Sequence, residues 1–187
     1  MKIKLCILFL SACFAIQSSA QEKDNKKFIP PSGVNNAASL GPALPLGNFS
    51  ETHFGGISMQ YSRSNNRFGI MKKNPSKKIG FTCNAGIAYY FGKEETIVST
   101  TYQYPAYTFL HLYGGAIYNV SKKANISLTA GPALGLYNGT KAFNIGANLD
   151  ASYYINKRIA ITPGILLMKE SGADPLWAAS LKATILF

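Results

Sequence analysis

Two histidines, one acid and one lysine are the side chains of this sequence best placed to do chemistry. His53 follows Ser50 and Glu51 within one short polar stretch, and a hydroxyl, an imidazole and a carboxylate are the parts of a nucleophilic hydrolase or acyltransferase. Nearness in sequence does not make a triad, because the three roles depend on geometry, and the plainer reading is a histidine at the rim of a turn. His111 stands inside an alternating stretch with no serine or acid beside it. Asp150 and Lys182 each occupy the middle of an alternating stretch, on the face that otherwise carries small and polar residues. A charge buried there without a partner is costly, so an ion pair is the structural expectation, with guidance of a solute as the alternative. The spacing rules for other sites are not met: there is no HExxH, no CxxC and no glycine-rich phosphate loop between a strand and a helix. No catalytic, metal-binding or cofactor-binding residue is assigned, and no cofactor is expected. Cys6 and Cys13 fall in the N-terminal segment, which leaves Cys83 alone on an apolar face. There it is a small hydrophobe, with no partner for a disulfide or a zinc cluster.

The elements that must position these side chains are read from a period of two. The last stretch, 176–187, puts Trp177, Ala179, Leu181, Ala183, Ile185 and Phe187 on one face and Ala178, Ser180, Lys182 and Thr184 on the other. The same alternation runs through 79–91, where Cys83 is on the apolar face, and through 125–137, 143–155 and 159–168. In 54–63 Ile57, Met59 and Tyr61 oppose Gly56, Ser58 and Gln60, the alternation in 107–120 has weaker polarity, and in 38–46 two prolines point to a weak or edge-like strand. Eight strands result, each about as long as a tilted strand needs to cross a bilayer. Eight antiparallel strands can close into an up-and-down barrel without a free edge. Closure matters in lipid, where unpaired backbone groups have no water to bond. Connections at 121–123 and 156–158 are short, while those at 93–106, 138–141 and 169–175 are longer, an alternation that suits short inner turns and longer outer loops. The basic connection at 64–78 is the exception, long but on the inner side.

Composition agrees with an all-β membrane barrel. Hydrophobic residues make up 47% of the chain, yet mean hydropathy is only +0.04, and beyond the N-terminus no run of eighteen apolar residues offers a helical span. The apolar residues must therefore be dispersed by alternation. A net charge of +11 raises the question of nucleic acid. The basic residues gather at segment ends instead of on one helix or around a stacking platform, so no nucleic-acid partner is expected. Charges in the connections, and apolar residues on the face opposite the small and polar set, also disfavour a soluble lipocalin-like barrel. The interior set is rich in Gly, Ala, Ser, Thr and Asn, which suits a filled lumen and no large pore.

The N-terminus has a positive start at Lys2 and Lys4, an apolar core over 5–16 and small residues before Gln21, the pattern of a removable secretory signal over residues 1–20. The alternative is Leu10-Ser11-Ala12-Cys13, which resembles a lipoprotein box and would make Cys13 the lipidated first residue. Residues 21–36 read as a polar periplasmic leader and 37–187 as the barrel.

The whole barrel region resembles the small outer-membrane β-barrel family of diderm bacteria. The likeness is carried by Gly41-Pro42-Ala43-Leu44-Pro45-Leu46-Gly47-Asn48-Phe49, similar to an opening strand and turn of such barrels, and by a last strand ending on Phe187. The resemblance implies a bacterial outer-membrane location, Phe187 as an assembly signal read by the barrel-assembly machinery, and outer-membrane lipid and lipopolysaccharide as partners, with the ligand unknown. It carries no catalytic signature. The function expected is a non-enzymatic structural or surface-binding role, the alternatives being a lipid-modifying hydrolase or acyltransferase and a small-solute channel.

Overall fold

A computed structural model describes residues 34–65, 79–121, 123–170 and 174–187. The segment expected to be a signal sequence and most of the expected leader lie outside these residues, as does most of the basic connection. In chain order the elements are β1 (Val34–Leu46), a four-residue helix α1 (Phe49–Thr52), β2 (His53–Asn65), β3 (Ile79–Gly92), β4 (Glu94–Ile97), β5 (Thr100–Gln103), β6 (Tyr107–Asn119), β7 (Ala124–Tyr137), β8 (Thr140–Tyr154), β9 (Ile159–Glu170) and β10 (Leu176–Leu186). All the strands except β4 and β5 close into one antiparallel barrel, each pairing with the next barrel strand in sequence, and β10 pairs with β1 to complete the ring. The β4–β5 hairpin stands apart between β3 and β6. Residues 93–106, expected to be the longest loop or a strand extension at the rim, thus carry an extra two-stranded ribbon.

Alternation decides which way each side chain points. Large apolar residues such as Leu40, Met59, Phe81, Leu112, Leu128 and Ile145 are exposed on the outer wall. An apolar surface this continuous is far larger than a water-soluble monomer tolerates and is a belt for lipid. The opposite set, among them Gln60, Asn84, Thr129, Asn148, Thr162 and Thr184, is buried in the lumen.

Two further expectations differ from the observed chain. β1 begins at Val34, three residues before the expected barrel boundary, and it is no edge. It pairs with β2 from Val34 opposite Asn65 to Ala43 opposite Gly56, and with β10 from Ala37 opposite Leu186 to Leu46 opposite Trp177, interrupted only at Gly41 and Pro42. Its prolines sit where no ladder bond is asked of them: Pro42 in that interruption, Pro45 past the last β2 pair. Pro132 and Pro163 fall in like gaps of the β6–β7 and β8–β9 ladders. The second difference is the β7–β8 connection, expected to be long. Tyr137 pairs directly with Thr140, leaving only Asn138 and Gly139 at φ 47° and 76°. Two positive φ values in succession make a type I′ hairpin turn, which Asn-Gly adopts most readily. The strict alternation of connection lengths therefore fails at this point.

Candidate functional site

Among the described residues, polar and titratable side chains from many strands converge in the lumen. Lys182 on β10 and Asp150 on β8 both point inward, separated by β9. Lys182 Nζ lies 2.8 Å from Asp150 Oδ1, and the two side chains are 2% and 5% exposed. Gly164 of β9, opposite Asp150 in the ladder, makes the meeting possible: a Cβ there would sit 2.1 Å from Asp150 Oδ1. Further lone pairs and protons of the pair are also used. Lys182 Nζ donates to Gln60 Oε1 at 3.1 Å. Asp150 Oδ2 accepts from Asn148 Nδ2 at 2.7 Å and from Gln60 Nε2 at 3.3 Å, and Asn148 Nδ2 also lies 3.4 Å from Gln60 Oε1. Gln60 stands on β2, diametrically opposite β8 in the ring order, so this layer spans the full width of the lumen. A buried pair is tolerable when its other bonding sites are filled in this way.

Toward the outer end, on the α1 side, the lumen is blocked by rings. Phe49 of α1 turns inward and meets Tyr90 and Tyr107 edge-on at centroid distances of 4.8 and 5.7 Å. Phe109, His111 and Tyr113, alternate residues of β6, stack in sequence, with His111 and Tyr113 at 4.6 Å. The alternation reading assigns small and polar residues to this face and misses the plug. Phe109 and Tyr113 share the parity that turns His111 inward, so the signal is present in the sequence.

Neither histidine has triad partners. His53 Nδ1 is 2.8 Å from the hydroxyl of its neighbour Thr52, and Nε2 is 3.2 Å from the Pro105 carbonyl, to which it donates. Ser50 is engaged elsewhere, donating its hydroxyl to the Gly47 carbonyl at 2.6 Å. His111 is buried with neither ring nitrogen bonded in the protein. Among the described residues no group of three His, Cys, Asp or Glu could hold a metal ion. Cys83 is half-buried on the outer wall.

Toward the inner end the lumen changes character. Below the charged layer, hydroxyls and amides including Ser39, Ser62, Asn84, Ser127 and Thr162 surround a cavity of about 50 Å³. That is room for a few waters and not for a larger solute. Ser39, Thr184, Thr162 and Ser152 form a hydroxyl chain across three strand boundaries at 2.8–3.0 Å. At the outer rim Tyr107 donates to Glu170, which Asn144 also reaches at 3.3 Å. Above it β5 of the ribbon is fully exposed, and the neighbouring Tyr104 hydroxyl donates to Glu95 of β4 at 3.0 Å. That bond raises the Tyr104 pKa.

No family model matches the sequence, and no curated protein matches it. Solved structures do. Ail, the attachment invasion locus protein of Yersinia pestis, is 10% identical over 84% of this chain and all of its own, with a TM-score of 0.57. A second structure of that protein, in complex with the heparin analogue sucrose octasulfate, covers 83% of this chain and 99% of its own at 10% identity and a TM-score of 0.55. The outer membrane protein OprG from Pseudomonas aeruginosa is 9% identical over 86% of this chain and 98% of its own, with a TM-score of 0.51. The chain therefore has the fold of the small bacterial outer-membrane β-barrels.

Proposed function

We propose that this protein is an integral bacterial outer-membrane barrel that conducts nothing large and catalyses nothing, and that it serves as an anchor presenting its outer rim to the cell's surroundings. The observation that carries this reading is the double closure of the lumen: the Gln60–Asn148–Asp150–Lys182 layer across its full width and the aromatic plug beyond it. A channel would need both to open. The pair is then a structural seal and not a solute guide. The partners of His53 speak against a hydrolase, since they are a threonine hydroxyl and a backbone carbonyl in place of a serine and an acid.

What remains available to a ligand is the outer rim and the β4–β5 ribbon. Tyr102 is exposed there, and so is Val98 at φ 60°, a strained conformation for a β-branched residue and one that places its side chain in solvent. Among the described residues this end carries Glu51, Glu94, Glu95, Glu170 and Asp174 against Lys93, Lys141 and Lys169. Its excess of acid favours a neutral or cationic ligand over the sulfated polyanion bound by the Yersinia protein. Outer-membrane lipid, with lipopolysaccharide outside, surrounds the wall, and Phe187 marks the last strand for the assembly machinery.

The test is conductance in a planar bilayer together with mass spectrometry of lipid A from cells with and without the protein. No stepwise conductance and an unchanged lipid A are expected. Steps abolished by Lys182→Met would establish a channel, and a changed acyl pattern an enzyme.

A further inference from the structure

The two ends of the barrel carry opposite charge, and among the described residues the end that bears β1's start and β10's finish has basic side chains and no acidic ones. A series of backbone contacts leads along its rim. Arg63 on β2 is paired with Asn36 of β1, whose carbonyl accepts from the Phe187 amide at 3.0 Å. One residue back, the Leu186 amide donates to the Arg158 carbonyl at 2.8 Å, and in the next hairpin the Tyr154 amide donates to the Lys123 carbonyl at 2.8 Å. Arg63, Arg158, Lys157 and Lys123 thus follow one another along the inner rim, all exposed. The described acids other than Asp150 lie at the opposite end.

The display is built. Asn156 accepts both the Arg158 and Ile159 amides, at 2.8 and 2.9 Å, which fixes the turn that carries Lys157 and Arg158. The cations alternate with apolar and aromatic side chains. Arg63 shares the outward face of β2 with Tyr61, whose ring is 6.3 Å from that of Phe187, and Ile155 and Ile159 bracket Lys157 and Arg158, exposed on the wall. Cations beside an aromatic and aliphatic edge, at the height where a lipid-facing wall ends, match an anionic headgroup above its acyl chains. A water-soluble anionic polymer would satisfy the charges and leave the apolar edge unmatched.

We infer that this inner rim is a binding surface for anionic diacyl phospholipid, of the phosphatidylglycerol class, in the leaflet facing the periplasm. The inference rests on the membrane placement proposed above. It predicts that lipid identity on the inner side affects how firmly the barrel is held, whatever its outer rim binds.

The experiment is native mass spectrometry of the folded barrel in neutral detergent with phosphatidylglycerol or phosphatidylcholine added in equal amount. It is run for the wild type, for Arg63→Gln/Lys123→Gln/Lys157→Gln/Arg158→Gln, and for Lys141→Gln/Lys169→Gln, lysines of the other rim. The wild type is expected to retain phosphatidylglycerol preferentially. The fourfold inner-rim variant should lower that preference several hundredfold, about fivefold for each charge removed, and the outer-rim pair should leave it intact. Raising salt to about 0.5 M, where the screening length falls to about 4 Å, should weaken the wild-type preference without any substitution, which keeps the test independent of how the variant folds. A preference that survives both the fourfold variant and high salt would overturn the inference. So would a wild type that binds isolated cell-wall sacculi but does not distinguish the two lipids. Failure of the wild type to insert into phosphatidylcholine vesicles would instead refute the membrane reading, and this proposal with it.

Discussion

Replacing Lys182 by Met is the sharpest perturbation of the lumen. It removes the ammonium 2.8 Å from Asp150 Oδ1 and 3.1 Å from Gln60 Oε1, and leaves a carboxylate 5% exposed. Breaking a buried pair from one side costs about 3–5 kcal/mol. The lower end is expected here, because Asp150 Oδ2 keeps the Asn148 and Gln60 amides as donors, each worth about 1 kcal/mol net. Asp150→Asn alone should also destabilise: the ammonium keeps one amide oxygen, while the new amide must face the two amide donors that served the carboxylate. In the double variant neither charge remains, and the introduced amide can rotate its oxygen toward Asn148. Its cost should be at most about 1 kcal/mol, since a buried pair can be replaced at little loss. The coupling is then about 2–3 kcal/mol or more. Denaturant unfolding in lipid vesicles measures it, read by heat-modifiable migration and by Trp177, the chain's single tryptophan, which sits on the outer wall. Losses that add within about 0.5 kcal/mol would refute the argument that the two groups hold each other and the layer shut.

Three further outcomes test the wall, the packing and the terminus. Ile87→Arg puts a charge on the lipid side of β3 and should cost about 2–4 kcal/mol near the midplane, measured by the same unfolding assay; a neutral result would mean that this face does not meet lipid. Gly146→Ala should destabilise by about 1–3 kcal/mol through overpacking, because its Cβ would fall 1.8 Å from the Tyr113 hydroxyl. Tyr113→Phe should recover part of that loss, and its failure to do so would place the strain on the backbone instead. Deleting Phe187 should lower the yield of heat-modifiable protein in the membrane fraction, and wild-type yield would show that the residue is no assembly signal.

The strands were legible because period two survives any change of register by two residues, and each half of the alternation has one destination. Strand partners, the closed order and the inward parity of Asp150, Lys182 and His111 follow from it. Three features were not legible, each for a physical reason. The prolines of β1 read as breakers because propensity rules describe an isolated ladder; in the barrel Pro42 meets β10 where the ladder is already interrupted. Thr140 and Lys141 read as loop because they are polar, yet at the rim a strand leaves the bilayer and polar residues continue it, so the Asn138–Gly139 signal was the better guide. The aromatic plug is hidden in the sequence because small and polar residues dominate the inner face on average. One lumen contains two environments, rings outward of Gln60 and hydroxyls inward of it, and averaging along a strand removes that gradient.

That gradient also explains why an ion pair stands where apolar filling would be at least as stable. Outward of Gln60 the lumen is filled mainly by rings, and inward it opens into a small cavity lined by hydroxyls and amides. A charged layer at that boundary faces rings on one side and hydroxyls and amides on the other, and satisfies its members among themselves. It also constrains register more tightly than apolar side chains do. A slip of two residues between β9 and either neighbour preserves parity, so every hydrophobic residue still faces lipid. The same slip moves Asp150 or Lys182 about 7 Å along its strand, beyond the reach of a bond now 2.8 Å long, and between β8 and β9 it also carries the carboxylate away from Gly164, whose missing side chain makes its room. Parity alone leaves such slips nearly degenerate. A pair that is satisfied in one register and stranded in the others separates them, so the layer that closes the lumen also selects the barrel in which it can close.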